Sequence, residues 1–419
     1  MYDEITGIGF EGGPAGCGPL LPGPGAGTKP LRQQVFEHIR AAGRTARADV
    51  ARALGISAGS VTTLTSDLIA VGLLREIVAE PREARDSGRG RPPVALEVVH
   101  EGRLVIGIKL SDERHSAVLT DFAGNQLADA TLPTVPIRKT LAQILDEMDE
   151  LMQALTASAS VSIRDVSAVG IGMPGLVDHD TGTVPWSPLL ADRDIGLKAA
   201  CEARFGLTVH VDNDANVLTL AELWFGAGRA LSDFAVVTIE QGVGMGLVLN
   251  NRLFRGTRGM GLELGHTKVH LDGALCRCGQ RGCLEAYLAD YALAREASTA
   301  LGRNARNMQS PQALLETLFD EAKAGNHAAR TIFRRAGRYL SLGLSNVIQL
   351  FDPELIILSG ERMRYDYLYA DEVLAEMRSL MLADGRVPCK VEIHAWGDLV
   401  WARGATALAL SAVTDAVLG

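Results

Sequence analysis

Gly261-Leu262-Glu263-Leu264-Gly265-His266 is followed, after nine intervening residues, by Cys276-Arg277-Cys278-Gly279-Gln280-Arg281-Gly282-Cys283-Leu284-Glu285. Half of the chain's six cysteines fall within these eight positions, 276 to 283, and His266 lies ten residues upstream of the first. Three thiols and one imidazole make a Cys₃His set, the closed tetrahedral ligation of structural zinc. Gly279 and Gly282 let the chain turn tightly enough to aim three thiolates at one point. His270 is the alternative fourth ligand, and the plain alternative to a metal site is a group of reduced free thiols. Glu263 and Glu285 flank the cluster without being needed as ligands, so the stretch offers two carboxylates on a metal-braced frame.

At 419 residues the chain can bury two or three cores. It is poor in aromatics and rich in alanine, glycine and valine, as α/β proteins are. No apolar run reaches the roughly 20 residues of a membrane span. Residues 1–27 contain no lysine or arginine, so the positive start of a secretory signal is missing and a cytoplasmic location is expected. Cys17, Cys201 and Cys389 are scattered and expected to be reduced and inert. The net charge of −9 argues against nucleic acid only if it is evenly spread. Residues 28–98 carry 11 basic and 8 acidic side chains, whereas residues 99–419 carry 30 and 39. One segment alone is basic.

That segment follows a glycine- and proline-rich stretch, residues 11–27, whose composition predicts a disordered leader with order beginning near Lys29. Val35, Phe36 and Ile39 follow helical spacing up to Gly43, a second short helix spans residues 47–54, and Gly55-Ile56-Ser57 leads into a third helix running to about Val71. Helix, glycine turn, helix is the helix-turn-helix signature. Ser57, Ser60, Thr62, Thr63 and Thr65 are read as exposed hydroxyls able to reach base edges and phosphates. Residues 72–77 and 94–98 read as two strands of a wing, with Arg89-Gly90-Arg91-Pro92 at its tip. A narrow cationic tip suits a minor groove, where negative potential concentrates. The bland alternative is a three-helix interaction domain with a flexible loop.

Beyond it, strand-like runs (104–110, 116–120, 166–171, 208–211, 234–239, 246–249, 355–358 and 391–394) alternate with amphipathic helices at 141–155, 215–225 and 402–417. That alternation predicts sheets covered by helices. Gly170-Ile171-Gly172-Met173-Pro174-Gly175 reads as a turn after a strand, Asp212-Asn213-Asp214-Ala215-Asn216 as a strand-to-helix junction, and Gly242-Val243-Gly244-Met245-Gly246 as part of a hairpin. Each is a weak signal alone.

Their order, together with the Glu263–His266 and Cys276–Glu285 runs, resembles the ROK family of sugar kinases and repressors over residues 28–419. The resemblance implies an α/β protein: an N-terminal winged helix-turn-helix followed by an actin-like (ribonuclease H-like) two-lobed sugar-kinase fold with sugar held between the lobes. The expected division is a leader at 1–27, a DNA-binding domain at 28–98, a first lobe at 99–212 joined by a C-terminal helix at 400–419, and a second lobe with the zinc site at 213–399. The resemblance makes Asp214 the position of the kinases' general base. It assigns Asn213, Asp214, Glu263, His266 and Glu285 to sugar, and His266, Cys276, Cys278 and Cys283 to zinc. The donor chemistry agrees, since carboxylates, amides and imidazole match hydroxyls that both donate and accept.

Three departures bear on function. Family kinases open their first hairpin with Asp-x-Gly-Gly-Thr-Lys, but here the run is Gly107-Ile108-Lys109-Leu110-Ser111-Asp112-Glu113-Arg114, without the paired glycines and with two acids that repel polyphosphate. Glu240 replaces a small residue of the second phosphate loop. Trp186-Ser187-Pro188-Leu189-Leu190 lacks an asparagine near Leu189 that usually serves the sugar. The reading is therefore a zinc-containing, sugar-responsive transcription regulator and repressor without useful kinase activity, binding operator DNA as a homodimer or homotetramer. The rival readings are an active ATP-dependent sugar kinase with a DNA-binding domain, and a regulator without effector that answers to partner proteins.

Overall fold

Short helices ended by glycine build the N-terminal head. The computed structural model describes residues 15–21, 29–78, 94–301, 310–360, 363, 371–382, 389–395 and 397–419. Helix α1 (Leu31–Ala42) buries Val35, Phe36 and Ile39 and stops at Gly43, whose φ of 76° suits glycine. After β1 (Thr45–Ala46) comes α2 (Arg47–Leu54), closed by left-handed Gly55. Helix α3 (Ala58–Ala70) starts at Ser57, whose Oγ accepts the Ser60 N–H at 3.0 Å. Strands β2 (Leu74–Val78) and β3 (Val94–Val98) pair antiparallel, Leu74 opposite Val98, and β1 joins on the far side of β3. This is a winged helix-turn-helix. Its wing tip, with Arg89 and Arg91, lies outside the described residues.

The next elements are β4 (Leu104–Lys109), β5 (Arg114–Thr120), β6 (Gln126–Pro133), α4 (Leu141–Ser158), β7 (Val166–Met173), β8 (Leu176–Asp178), β9 (Thr183–Trp186), β10 (Ile195–Gly196), α5 (Leu197–Phe205), β11 (Thr208–Asn213) and α6 (Asp214–Phe225). Five of these strands form a sheet ordered β11-β7-β4-β5-β6, with β4, β7 and β11 parallel and the β4–β5–β6 meander antiparallel.

The chain then repeats the plan with β12 (Phe234–Ile239), β13 (Val243–Leu249), β14 (Arg252–Phe254), α7 (Glu285–Leu288), α8 (Asp290–Ala300), α9 (Pro311–Lys323), α10 (His327–Phe351), β15 (Leu355–Ser359), α11 (Asp371–Ser379), β16 (Lys390–His394) and α12 (Leu399–Leu418). The second sheet runs β14-β13-β12-β15-β16, the matching order, with β12 antiparallel to β13 and the run β12-β15-β16 parallel. Two ribonuclease H-like sheets in succession make the actin-like fold.

Two compact units result: one of residues 1–232, 249–253 and 398–419, the other of residues 233–248 and 254–397. The first unit therefore runs twenty residues past the boundary expected after Asp212, because α6 packs on α12. A methyl on Gly404 of α12 would lie 1.8 Å from the Val217 carbonyl of α6. Gly107 of β4 and Gly170 of β7 likewise leave room for the Ala402 and Ala405 carbonyls, at 2.0 and 1.9 Å from the missing methyls. Gly170 and Gly172 thus lie inside a strand, not in a turn after one. They admit a helix rather than a phosphate.

The leader expectation also needs correction. Residues 15–21 are packed: Cys17 is 3% exposed, its N–H bonds the Arg40 carbonyl, and the Gly18 N–H bonds the Trp224 carbonyl. Composition missed this because the segment is held through backbone groups and glycine fit, not by an apolar stripe. The rest of the expected leader, residues 1–14 and 22–27, lies outside the described residues.

Candidate functional site

In the second unit, the ligand atoms of His266, Cys276, Cys278 and Cys283 all lie within 4.8 Å of one another. Cys278 Sγ is 3.7 Å from Cys283 Sγ, and Cys276 Sγ is 3.7 Å from His266 Nδ1. Tetrahedral zinc with Zn–S bonds of about 2.3 Å puts neighbouring sulfurs about 3.8 Å apart, so the donor set fits that ion. Gly279 and Gly282 take φ of 87° and 73°. A methyl on Gly282 would lie 1.7 Å from the His270 carbonyl, so only glycine brings Cys283 this close. His270 lies apart from the cluster, exposed and 3.3 Å from the Tyr339 hydroxyl, and His266 is the histidine grouped with the three thiols.

The cluster's far side carries the two carboxylates. Glu263 sits at φ −71° and ψ 60°, the centre of an inverse γ-turn closed by Leu264 N–H to the Leu262 carbonyl. Its Oε2 lies 4.0 Å from His266 Nε2. The imidazole therefore turns Nδ1 to the thiols and Nε2 toward the carboxylate. Glu285, 9% exposed, accepts from Cys276 Sγ (3.5 Å) and the Tyr291 hydroxyl (3.4 Å) on Oε1 and from Val243 N–H (3.4 Å) on Oε2. Tyr291 also touches Cys276 Sγ at 3.5 Å, and Arg277 stacks over its ring at 4.1 Å. Tyr291 escaped sequence reasoning, which sought only polar groups inside the motifs.

In the first unit Asn213 and Asp214 stand where β11 ends and α6 begins. Asn213 Oδ1 caps α6 through the Asn216 N–H at 2.8 Å, and buried Asp212 holds the Asn216 amide at 2.7 Å. Burial pushes the Asp214 carboxyl above the usual carboxylate range, opposed by the charge of Lys109. Lys109 Nζ rests 3.6 Å from the ring centre of Trp401 on α12. The same sequence run held this signal: lysine stands where the kinases' motif has aspartate. Leu189 and Leu190 are buried in the core under the first sheet.

The β4–β5 hairpin, where kinases grip phosphate, is closed on itself. Ser111 N–H donates to His115 Nδ1 at 3.1 Å, Arg114 N–H donates to Ser111 Oγ at 3.2 Å, and Ser111 Oγ donates back to the Arg114 carbonyl. His115 is fully buried, with Nε2 2.9 Å from Glu147. The second phosphate loop is also folded inward, Glu240 N–H bonding the Gly242 carbonyl at 2.9 Å.

On the head, Ser57, Ser60, Thr62 and Thr63 are exposed on α3. Thr62 and Thr63 donate to the Ala58 and Gly59 carbonyls, leaving oxygen lone pairs outward. Thr65 is a correction: it is fully buried and accepts from Arg47 Nε at 2.9 Å.

The ROK family model matches residues 105–412. The chain belongs to the ROK family. The protein of Escherichia coli K12 described as DNA-binding transcriptional dual regulator NagC is 31% identical to it over 334 residues, 78% of this chain and 79% of its own. The xylose repressor of Caldicellulosiruptor bescii is 25% identical over 370 residues, 87% of this chain and 91% of its own. A crystal structure of a ROK family transcriptional regulator, a homologue of the E. coli MLC protein, aligns with TM-score 0.74 and 26% identity over 93% of this chain and 97% of its own. A ROK glucokinase from Streptomyces griseus, solved with glucose and AMPPNP, gives TM-score 0.62 and 29% identity over 73% and 98%. The regulator match covers more of this ROK protein than the family domain alone spans, and so takes in the head. This ROK protein is a DNA-binding transcriptional regulator. Among its described residues no helix is long and apolar enough to cross a membrane.

Proposed function

We propose that this ROK protein is a cytoplasmic repressor of carbohydrate genes whose operator affinity is set by a sugar or sugar derivative, and that it transfers no phosphate. Asn213, Asp214, Glu263, His266 and Glu285 hold the sugar hydroxyls. Zinc, bound by His266, Cys276, Cys278 and Cys283, supplies a fixed tetrahedral anchor. His266 presents its outer nitrogen, and Glu285 is held through the Tyr291 hydroxyl and the Val243 N–H. Ser57, Ser60, Thr62 and Thr63 on α3, with Arg89 and Arg91 of the wing, meet operator DNA, and a homodimer or homotetramer presents paired heads to paired half-sites.

The observation that carries the reading is the self-closed β4–β5 hairpin with Lys109 at its base. Phosphoryl transfer rests on positioning and electrostatic stabilisation. Here two of the hairpin's backbone donors, the Ser111 and Arg114 N–H groups, are spent on His115 and Ser111. Lys109 faces Asp214 instead. The hydroxyl-binding carboxylates, by contrast, keep their supports.

The kinase reading retains one favourable observation, the half-buried Asp214 with its raised carboxyl, which suits a general base. Coupled ADP-release assays and thermal shift with D-glucose, D-xylose and N-acetyl-D-glucosamine separate the two. The regulator reading expects a thermal shift from at least one sugar and no sugar-dependent ADP release above a Asp214→Asn control. Turnover that the control abolishes would establish the kinase instead.

A further inference from the structure

We propose that residues 15–21 form a coupling strap through which a ligand at the Asn213–Asp214 end of α6 alters the DNA-binding head; this rests on the sugar-responsive reading above. Helix α6 begins at Asp214, and every residue from Ala215 to Phe225 is buried. Its 12 residues make a rod of about 18 Å, rigid because packed on all sides. One end carries ligand-binding groups. The other ends at Trp224 and Phe225, against the strap.

The strap's consecutive residues bond to opposite partners. Cys17 N–H donates to the Arg40 carbonyl of head helix α1 at 3.1 Å, and Gly18 N–H donates to the Trp224 carbonyl of α6 at 2.8 Å. Leu20 N–H reaches the Arg229 carbonyl at 2.8 Å, and Arg229 returns its guanidinium to the Gly18 and Ala41 carbonyls. The last carbonyls of a helix lack partners within it, so the strap and Arg229 satisfy the C-terminal ends of α1 and α6 together. Neither helix can shift alone without breaking a buried hydrogen bond.

The fit is steric as well. A methyl on Gly16 would lie 1.9 Å from the Arg40 carbonyl oxygen and 2.5 Å from Gly43 N. Cys17 packs its sulfur so closely on Gly124 that a methyl there would lie 2.3 Å away. Arg40, 3% exposed, stacks over Phe36 and Trp224 at 5.5 and 4.8 Å and donates to Thr414 of α12 at 2.8 Å. Gln33 of α1 adds a 2.6 Å bond to Asp415. A second rod, α12, thus connects Trp401, beneath Lys109, with the head.

The test uses the full chain, an operator fragment selected by that chain from random DNA, and D-glucose, D-xylose and N-acetyl-D-glucosamine as probes. For the sugar that shifts wild-type operator affinity, about 5-fold or more being typical of allosteric coupling, hydrogen exchange should change at the amides of Cys17, Gly18 and Leu20. Gly16→Val and, separately, Arg229→Gln should still bind operator without sugar while the shift falls below about 2-fold. Unchanged exchange at those three amides while affinity shifts, or a folded variant with the full shift, overturns the strap. A wild type indifferent to every sugar overturns the sugar-responsive reading itself, and the strap's role with it.

Discussion

Replacing Cys278 with serine removes one of the four proposed metal donors while leaving the buried pair Cys276 and Cys283 in place. Cys278 is the exposed member of the cluster, so the change opens no cavity in the core. Structural zinc held by four protein ligands binds with about 10–16 kcal/mol, so losing one of four equal shares costs about 2.5–4 kcal/mol, or roughly 10²- to 10³-fold in affinity. Serine does not substitute, because its hydroxyl stays protonated where a thiol ionises under the metal's charge. Wild type and Cys278→Ser are dialysed side by side against a graded chelator series, and bound zinc is read by elemental analysis. The expected result is stoichiometric zinc in the wild type at chelator strengths that strip the variant. Equal retention across the series refutes the assignment of Cys278, and absence of zinc from both refutes the site.

Other outcomes follow from single side chains. Tyr291→Phe should weaken sugar binding by about 1 kcal/mol, roughly 5-fold, with zinc content unchanged, because one hydrogen bond to Glu285 is lost; calorimetry reads it. Burial lowers the His115 pKa, against the opposing pull of Glu147, and the Ser111 N–H requires Nδ1 unprotonated. Its contribution to stability is therefore full above about pH 6.5, the unfolded value, and is lost as pH falls. His115→Gln should flatten that part of the stability–pH curve measured by denaturant titration. Arg89→Ala and Arg91→Ala should each weaken DNA binding across sequences and reduce the salt slope by about 1, read by anisotropy over a salt series.

The head was legible because its signals are local: helical spacing in α1, glycine stops at Gly43 and Gly55, and a serine cap at Ser57. The cluster was legible for the same reason, three cysteines and two glycines within eight residues. What escaped depends on distant partners. Why glycine stands at Gly107, Gly170 and Gly404 shows only once α12 is seen lying on β4, β7 and α6. Lys109 and Asp214 interact across more than a hundred residues of sequence. Helix α10, 25 residues long, was not among the expected elements although Ile332, Phe333, Ala336, Leu340, Leu344, Val347 and Ile348 keep helical spacing along its buried face. The strap escaped because backbone hydrogen bonds leave no mark in composition.

The central claim is that one molecule couples a zinc-braced sugar site to operator binding. It is tested most directly by titrating the zinc-loaded full chain against its selected operator fragment, with and without each sugar of the panel at saturation. The account predicts that at least one sugar changes operator affinity by about 5-fold or more. Operator affinities that stay the same with every sugar, in protein shown to carry zinc, would contradict it.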